Sequence, residues 1–534
     1  MTKINMNDMR KNIKTPLKLV TAVMLAGLVL VMSCTNEFES LNTNHNAIAK
    51  VSTAELPFLF TKALSAAPNS QWNYQVAQNL FADQYAQYFA CEATYFGSDR
   101  LVINQNWVGA QFNPMYTDVA PQLQSIFAST DENSVEWQVA SIWWVYTFHR
   151  VTDYWGPIPY FKIGIKDTSV PYDSQDKIYE DFFLRLTNAV NVLKTKTDQT
   201  AFTNPVYDIV YGGDVNKWIR FANSLRLRLA LRISNVDPAR AKTEAEAAVA
   251  GGVMATSPAD DALVQRSQKG SDGNGLAIME WNEFRMSASM ESVLKGYDDP
   301  RMPEYFLPSV KTGDYEGLRN GLTSAQLTDE GGLNSTDYNS HHGPRWSPSD
   351  IGGTSDYLAT SQNVMCTAES YFLRAEGALK GWAMGGTAKN LYEAGIKNSF
   401  LQWGIAADAG AYAASTNVPV APNDFLNSPP MTNIPVAFGA TQAIQEEQIA
   451  TQKWIAMFPE GVEAWADYRR SHKLKLYPVV NSDNPLITNT STQWLRRMPF
   501  LLSEQQTNKA AVEAAIPLLK GPDNTQTPLW WDKN

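Results

Sequence analysis

Cys34 is the residue whose surroundings prescribe a covalent chemistry. Lys3, Arg10, Lys11, Lys14 and Lys18 precede an apolar run from Leu19 to Val31, and Val31-Met32-Ser33-Cys34 closes it with a small residue just before the thiol. The basic flank holds to the cytoplasmic side, the run falls short of the ~20 residues of a comfortable membrane span, and the small residue suits a peptidase pocket. This is the pattern of a bacterial lipoprotein signal. Residues 1–33 are expected to be removed and Cys34 to be acylated, which places the mature chain outside the cytoplasm on a lipid anchor.

Other covalent chemistry is hard to find. No His is followed by Glu, no phosphate-binding G-x-x-x-x-G-K-[ST] or nucleophile-bearing G-x-S-x-G occurs, and no cysteine pair has zinc spacing. His341-His342 is the only histidine cluster, and adjacent side chains diverge from a regular element, so no metal or cofactor is expected. Glycoside hydrolysis needs only two carboxylates, for which Glu283 and Asp298-Asp299 are candidates. Asp298-Asp299-Pro300-Arg301 reads more simply as a turn with local charge compensation. No residue is assigned a catalytic role.

The elements that would position a site are mainly helical. Residues 35–50 are rich in Asn, Ser, Thr and Glu without apolar periodicity and read, with Cys34, as a flexible lipidated tether. Trp72, Val76, Leu80, Phe81, Tyr85, Tyr88 and Phe89 recur at helical steps and predict one continuous helix, followed by others over 135–151 and 178–193. In 214–233, Trp218, Phe221, Leu225, Leu229 and Ile233 share a face, Asp214 stands as N-cap, and Arg226, Arg228 and Arg232 fall elsewhere around the helix. From about 255 to 357 Gly, Ser, Asn, Asp and Pro become dense and periodicity fades, with room for a few short strands; single aromatics argue against disorder there. Helix returns over 361–382 and 388–403, with small residues (Ala368, Ala375, Ala378, Ala394) beside large ones (Tyr371, Phe372, Leu391, Phe400), as in tetratricopeptide-like hairpins. A last helical block covers 443–458 and 463–474.

Composition sets further bounds. Of 534 residues 501 remain from Cys34 onward, with a net charge near -14 (39 basic against 53 acidic), a balance that repels nucleic acid and anionic headgroups. Sequence alone leaves the pairing of Cys91 and Cys366 open, with separate buried thiols favoured. Aromatic residues make up 11%, including 16 Trp, whose flat faces stack on sugar rings when they are not in the core.

Several blocks in this order resemble one family. They are Thr152-Asp153-Tyr154-Trp155-Gly156-Pro157-Ile158-Pro159-Tyr160, Trp218 through Arg228, Asp299-Pro300-Arg301, Ala368 to Trp382, and Tyr392 to Gly404. Gln452-Lys453-Trp454-Ile455-Ala456, Glu463-Ala464-Trp465, Arg469-Arg470, Arg496-Arg497-Met498-Pro499 and Trp530-Trp531-Asp532 complete the set. Together, behind the lipoprotein signal, they resemble the SusD/RagB-like nutrient-binding outer-membrane lipoproteins, in particular the second SusD-like subfamily. Departures are His45 and Leu501, where proline is common, and Gly377, where a helix usually carries Ala at a gain of up to ~1 kcal/mol.

The resemblance implies a single helical domain over 51–534 built on tetratricopeptide-like hairpins (about 361–403 and 443–474), with the loop-rich 255–357 inserted. It also implies a non-enzymatic, lipid-anchored protein on the outer face of the outer membrane that captures an oligosaccharide or peptide. The ligand would pass to a SusC-like TonB-dependent transporter barrel, over which the protein acts as a lid. Trp465, Arg469, Arg470, Arg496 and Arg497 are expected to lock the C-terminal segment onto the helices by ion pairs and stacking. Ligand contacts are expected from loops on the rigid scaffold: Trp72, Tyr95, Phe96, Asp99, Arg100 and Trp107, then Trp281, Phe284, Tyr315 and Trp346. The alternatives are a surface glycosidase or lyase on a helical toroid, and a tetratricopeptide-like envelope assembly factor.

Overall fold

The structure, a computed structural model, describes residues 51–533 apart from 166–168, 203–204, 268–273 and 329–331. The signal, Cys34 and the tether over 34–50 lie outside the described residues. The principal helices are α1 (Leu56–Ala66), α2 (Ala120–Ser129), α3 (Val135–Trp155), α4 (Gln175–Leu193), α5 (Val215–Arg232), α6 (Pro238–Gly251), α7 (Ala288–Gly296), α8 (Thr367–Leu379), α9 (Ala388–Trp403), α10 (Gln442–Met457) and α11 (Gly461–Ser471). Among the described residues no helix is long and apolar enough to cross a membrane.

Side chains that satisfy the free N–H groups of a first turn set where helices begin. Asp214 accepts from the N–H of Asn216 (2.9 Å) and Lys217 (3.1 Å) at the head of α5, and Ser134 and Thr387 do the same for Trp137 in α3 and Asn390 in α9. From Gln138 to Trp155 α3 is buried on every side, so it is the central helix, and α4 packs along it. Pairs α5–α6, α8–α9 and α10–α11 add to the stack, with α5 against α8 and α8 against α10. A Cβ on Gly377 would stand 2.7 Å from Met384 Sδ, so glycine lets α8 meet the turn that follows it.

Buried charges join these pairs. Arg228 of α5 donates to both carboxylate oxygens of Glu369 in α8 (2.7 Å each), and Arg232 donates to both of Glu463 in α11 (2.6 Å each). Arg150 of α3 meets Glu460 at 2.5 Å, and Arg470 and Lys453 converge on Glu376 and Asp467. Burial works against the charged form of Glu376, yet Arg470 and Lys453 hold its carboxyl down at about 2. The C-terminal segment is fastened in the same way. Arg496 pairs with Asp532, Arg497 with Asp523, Arg469 lies 3.5 Å over the Trp465 ring, and Trp531 donates to Asp153 (2.8 Å).

Two predicted helices are shorter than their apolar spacing suggests. Over 72–89 the chain forms a helical turn (Gln71–Tyr74), a π-turn (Gln75–Asn79) and a second helical turn (Ala82–Tyr85), because Phe81 leaves helical geometry (φ -127°, ψ -89°) before the buried Asp83. It then enters a strand, β1 (Phe89–Cys91). Residues 362–365 extend as strand β4 (Gln362–Met365) antiparallel to β2 (Ala262–Val264), so α8 begins only at Thr367. The stretch 255–357 carries β2, β3 (Phe284–Met286), α7 and a second π-turn (Leu276–Glu280). Asp298-Asp299-Pro300-Arg301 forms the expected turn, with Asp299 and Arg301 buried and paired at 2.6 Å. Cys91 and Cys366 are free and buried, and burial lowers the His341 imidazole to about 3.

Replacing Arg228 by Met leaves Glu369 an unpaired charge in the core. Chemical denaturation is expected to register a loss of about 3–5 kcal/mol, most of it recovered in Arg228→Met/Glu369→Met. A loss below ~1 kcal/mol would mean that the pair does not hold α5 to α8.

Candidate ligand-binding site

A two-stranded ribbon sets the site. β1 pairs antiparallel with β3, Cys91 opposite Phe284, so the chain leaving β1 and the chain entering β3 emerge at the same end. Tyr95 and Phe96 follow β1; Trp281 and Glu283 precede β3. Asn282 takes a left-handed conformation (φ 53°) between them. Beside this end stand Trp72, Gln75 and Val76 from the first helical turn and π-turn, and Trp107 from a short helix (Gln105–Val108) capped by Asn104. Trp281 directly follows the second π-turn. Such turns widen a helix locally and recur at functional sites.

Trp72, Gln75, Val76, Phe96, Trp107, Trp281 and Glu283 line a cleft of about 320 Å³. Trp72 is 57% exposed and Tyr95, at the rim, 68%, while Trp107 and Trp281 are half-buried. Phe96 forms the floor, edge-on to Trp107 (5.4 Å between centroids), packed on Tyr95 (4.6 Å) and stacked on Phe284 (6.4 Å). Glu283 is the one carboxylate among these lining residues. It accepts from Tyr95 Oη on one oxygen and from Gln75 Nε2 on the other. Burial pushes its carboxyl up against the pull of those two hydrogen bonds. The cleft thus offers indole faces and a hydrogen-bonding edge.

Of the ten expected contacts, Trp72, Phe96, Trp107 and Trp281 line the cleft and Tyr95 stands at its rim. The others have different places. Phe284 is fully buried beneath Phe96, so it supports the floor without reaching the surface. Asp99 is buried and accepts from Asn320 Nδ2 and the Gly321 N–H (2.8 Å each); burial raises its carboxyl to about 6. Arg100 pairs with Asp483 (2.7 Å) and donates to the Leu322 carbonyl (3.2 Å), which anchors the loop carrying Tyr95 and Phe96. Tyr315 is half-buried and not part of the cleft lining, and Trp346 lines a different pocket. Gln75, Val76 and Glu283 are absent from the expected ligand contacts, Glu283 entering only as a candidate carboxylate for hydrolysis. Gln75 lies three residues after Trp72, one turn along the same face, which was the available signal.

Comparison with known proteins identifies the family and the fold. The sequence profile of the SusD-like family, described as Susd and RagB outer membrane lipoprotein, matches residues 35–532. The chain belongs to the SusD-like family. Its fold matches a chitin-binding SusD homologue from Flavobacterium johnsoniae at 36% identity and a TM-score of 0.80, covering 90% of this chain and 99% of that one. A SusD-like protein from Bacteroides thetaiotaomicron VPI-5482 matches at 31% identity, a TM-score of 0.80 and the same coverage. A SusD homologue from Bacteroides uniformis ATCC 8492, also 31% identical, matches with a TM-score of 0.79 over 90% of this chain and 99% of its own. No curated protein matches the sequence. The helical, tetratricopeptide-like fold is therefore the SusD-like fold, in a family of outer-membrane lipoproteins.

In this SusD-like chain Asp83 holds the π-turn beside the cleft. It accepts from Tyr74 Oη (2.7 Å), Gln78 Nε2 (3.0 Å) and the Gly461 N–H (3.1 Å), and burial raises its carboxyl from the ordinary 3.8 to about 7. The folded state thus keeps a proton that the unfolded chain releases. The associated stability is complete below 3.8 and is lost as pH rises through about 7. Thermal unfolding of Asp83→Asn is expected to vary less across that window than that of the unaltered protein; identical slopes would assign the proton elsewhere.

Proposed function

We propose that this SusD-like protein captures glycan and performs no chemistry on it. The observation that carries the reading is the cleft itself, where Trp72, Trp107 and Trp281 present indole surface to solvent beside a single carboxylate that already accepts one hydrogen bond on each oxygen. Sugar rings have one apolar C–H face and a hydroxyl periphery. Indole faces accept the first, and Gln75, Tyr95 and Glu283 can exchange hydrogen bonds with the second. Chitin binding by the Flavobacterium johnsoniae homologue favours glycan over peptide and suggests N-acetylated oligosaccharides as the first class to try.

The glycosidase alternative asks for a second carboxylate across the cleft. Among the described lining residues Glu283 has none, and Asp299 is committed to Arg301 in the core. Membership of an outer-membrane lipoprotein family, with the expected acylation of Cys34, supports anchoring at that membrane. Display on the outer face and delivery to a SusC-like TonB-dependent barrel complete the proposal.

Calorimetric titration of the protein from Thr35 onward with chitin oligosaccharides and a wider glycan panel tests capture. Saturable binding without products is expected, with Trp72→Ala, Trp107→Ala and Trp281→Ala each losing about 1–2 kcal/mol, or 5–30-fold in affinity. Product formation that disappears in Glu283→Gln would overturn the reading. In detergent extracts, the lipidated protein is expected to co-purify with a barrel of the TonB-dependent class; a stable complex with some other envelope protein instead would favour assembly.

A further inference from the structure

A second pocket, of about 380 Å³, lies apart from the aromatic cleft. It is walled by the turn bearing Arg345 and Trp346, by 354–363, by the end of α9 with Gln402 and Trp403, and by Phe458-Pro459-Glu460. Asn274 and Gln78 complete it, one just ahead of the second π-turn and the other within the first. Gly275 permits this closure, because a Cβ there would stand 2.6 Å from the Tyr357 carbonyl oxygen.

The wall is under-satisfied. Among the described residues Asn274 Oδ1, Asn363 Oδ1, Gln402 Oε1 and Trp403 Nε1 are buried and have no hydrogen-bond partner in the protein, and all four residues line this pocket. Asn274 and Trp403 are each only 5% exposed. An orphaned buried polar atom costs about 1–3 kcal/mol; these four are closed to water, so an occupant able to hydrogen-bond would favour turning their side chains toward the cavity. A smaller cavity beside Gln84, Tyr85 and Trp494 measures about 90 Å³, room for roughly three waters at ~30 Å³ each. The larger one falls in the ~300–1,000 Å³ range of small-molecule sites.

The atoms define what fits. Asn and Gln amides can present either end, so each suits a partner that both donates and accepts, and a hydroxyl does both. The Trp403 indole N–H only donates. Its face is covered by the Arg345 guanidinium at 4.0 Å, so this ring is a hydrogen-bond donor here and not a stacking platform. Charge argues against an anion. Arg345 is the only cation among the lining residues, against Asp356 at the mouth and Glu460, which is already paired with Arg150. Trp346, Leu263, Phe458 and Pro459 add an apolar side.

We propose that this pocket is a second ligand site, separate from the cleft, for a neutral hydroxyl-rich molecule of one or two sugar rings. The assignment does not rest on what the cleft binds. Saturation-transfer NMR of the full-length protein in a sugar-free detergent, with glucose, N-acetylglucosamine, cellobiose and glucuronate as probes, tests it. A neutral probe is expected to saturate. Gln402→Leu should weaken it about tenfold without lowering the thermal midpoint, since a buried oxygen that has no partner in the protein is removed. Ser361→Trp, an exposed lining position, should block it even if the first variant folds poorly, while Trp72→Ala leaves it unchanged. Binding of glucuronate alone, loss in Trp72→Ala but not in Ser361→Trp, or no saturable binding by any probe, which leaves water as the occupant, would each overturn the proposal.

Discussion

Most arginines that the helix stack takes out of water meet a carboxylate there, and this pairing fixes how the helices stand. Arg228 and Arg232, one turn apart on α5, reach Glu369 on α8 and Glu463 on α11, while Arg150 on α3 reaches Glu460 at the head of α11. Apolar packing alone tolerates many exchanges of similar volume. Paired buried charges do not, because leaving one unpartnered costs several kcal/mol. Sliding α5 by half a turn, about 2.7 Å, would strain both of its pairs together, and a full turn would bring one arginine to the other's partner and leave the second pair broken.

The same network carries the cleft. Arg150, held by Glu460, also donates to Gln78 Oε1 (3.1 Å), and Gln78 donates in turn to Asp83. Gln78 lies on the π-turn that begins at Gln75, and Gln75 donates to Glu283, which also receives the Tyr95 hydroxyl. Two series of hydrogen bonds, joined by the backbone of the π-turn, thus connect the central helix to the rim. Arg100 and Asp99 pin the loop from its other side through Asp483, Asn320 and Gly321. The binding surface is loop by secondary structure and scaffold by bonding, which lowers the ordering cost on association.

What the sequence disclosed follows from what periodicity can encode. The cap at Asp214, the apolar face of α5 and the hairpin α8–α9 were legible because each depends on residues within two or three turns. Arg228 and Arg232 were legible as helical positions but not as core, since their partners lie 141 and 231 residues away. The break at Phe81 escaped for the same reason: the apolar residues keep helical steps on both sides, and the contact that accompanies the break joins Asp83 to Gly461, 378 residues away. In 362–365 a strand partner 100 residues earlier overrode a helical pattern. Aromatic identity marked Trp72, Trp107 and Trp281 without distinguishing them from Phe284 or Trp346, because burial is a property of the assembled ribbon.

That distinction separates the two cavities. This chain buries Trp143, Trp155, Trp218, Trp454, Trp465 and Trp531 almost completely, so it has the means to hide an indole. Leaving Trp72 more than half exposed beside Trp107 and Trp281 forgoes burial that would be worth roughly 25 cal/mol per Å² of apolar surface. Nothing in the charge network requires that exposure. In the polar pocket the relation is reversed: Trp403 is hidden, its face is covered by Arg345, and only its N–H lacks a partner. An exposed face recognises shape and accepts a long ligand in several registers. A buried, unpaired hydrogen-bonding set instead selects by stereochemistry, because a misplaced hydroxyl leaves the wall unsatisfied at a cost that no solvent can offset.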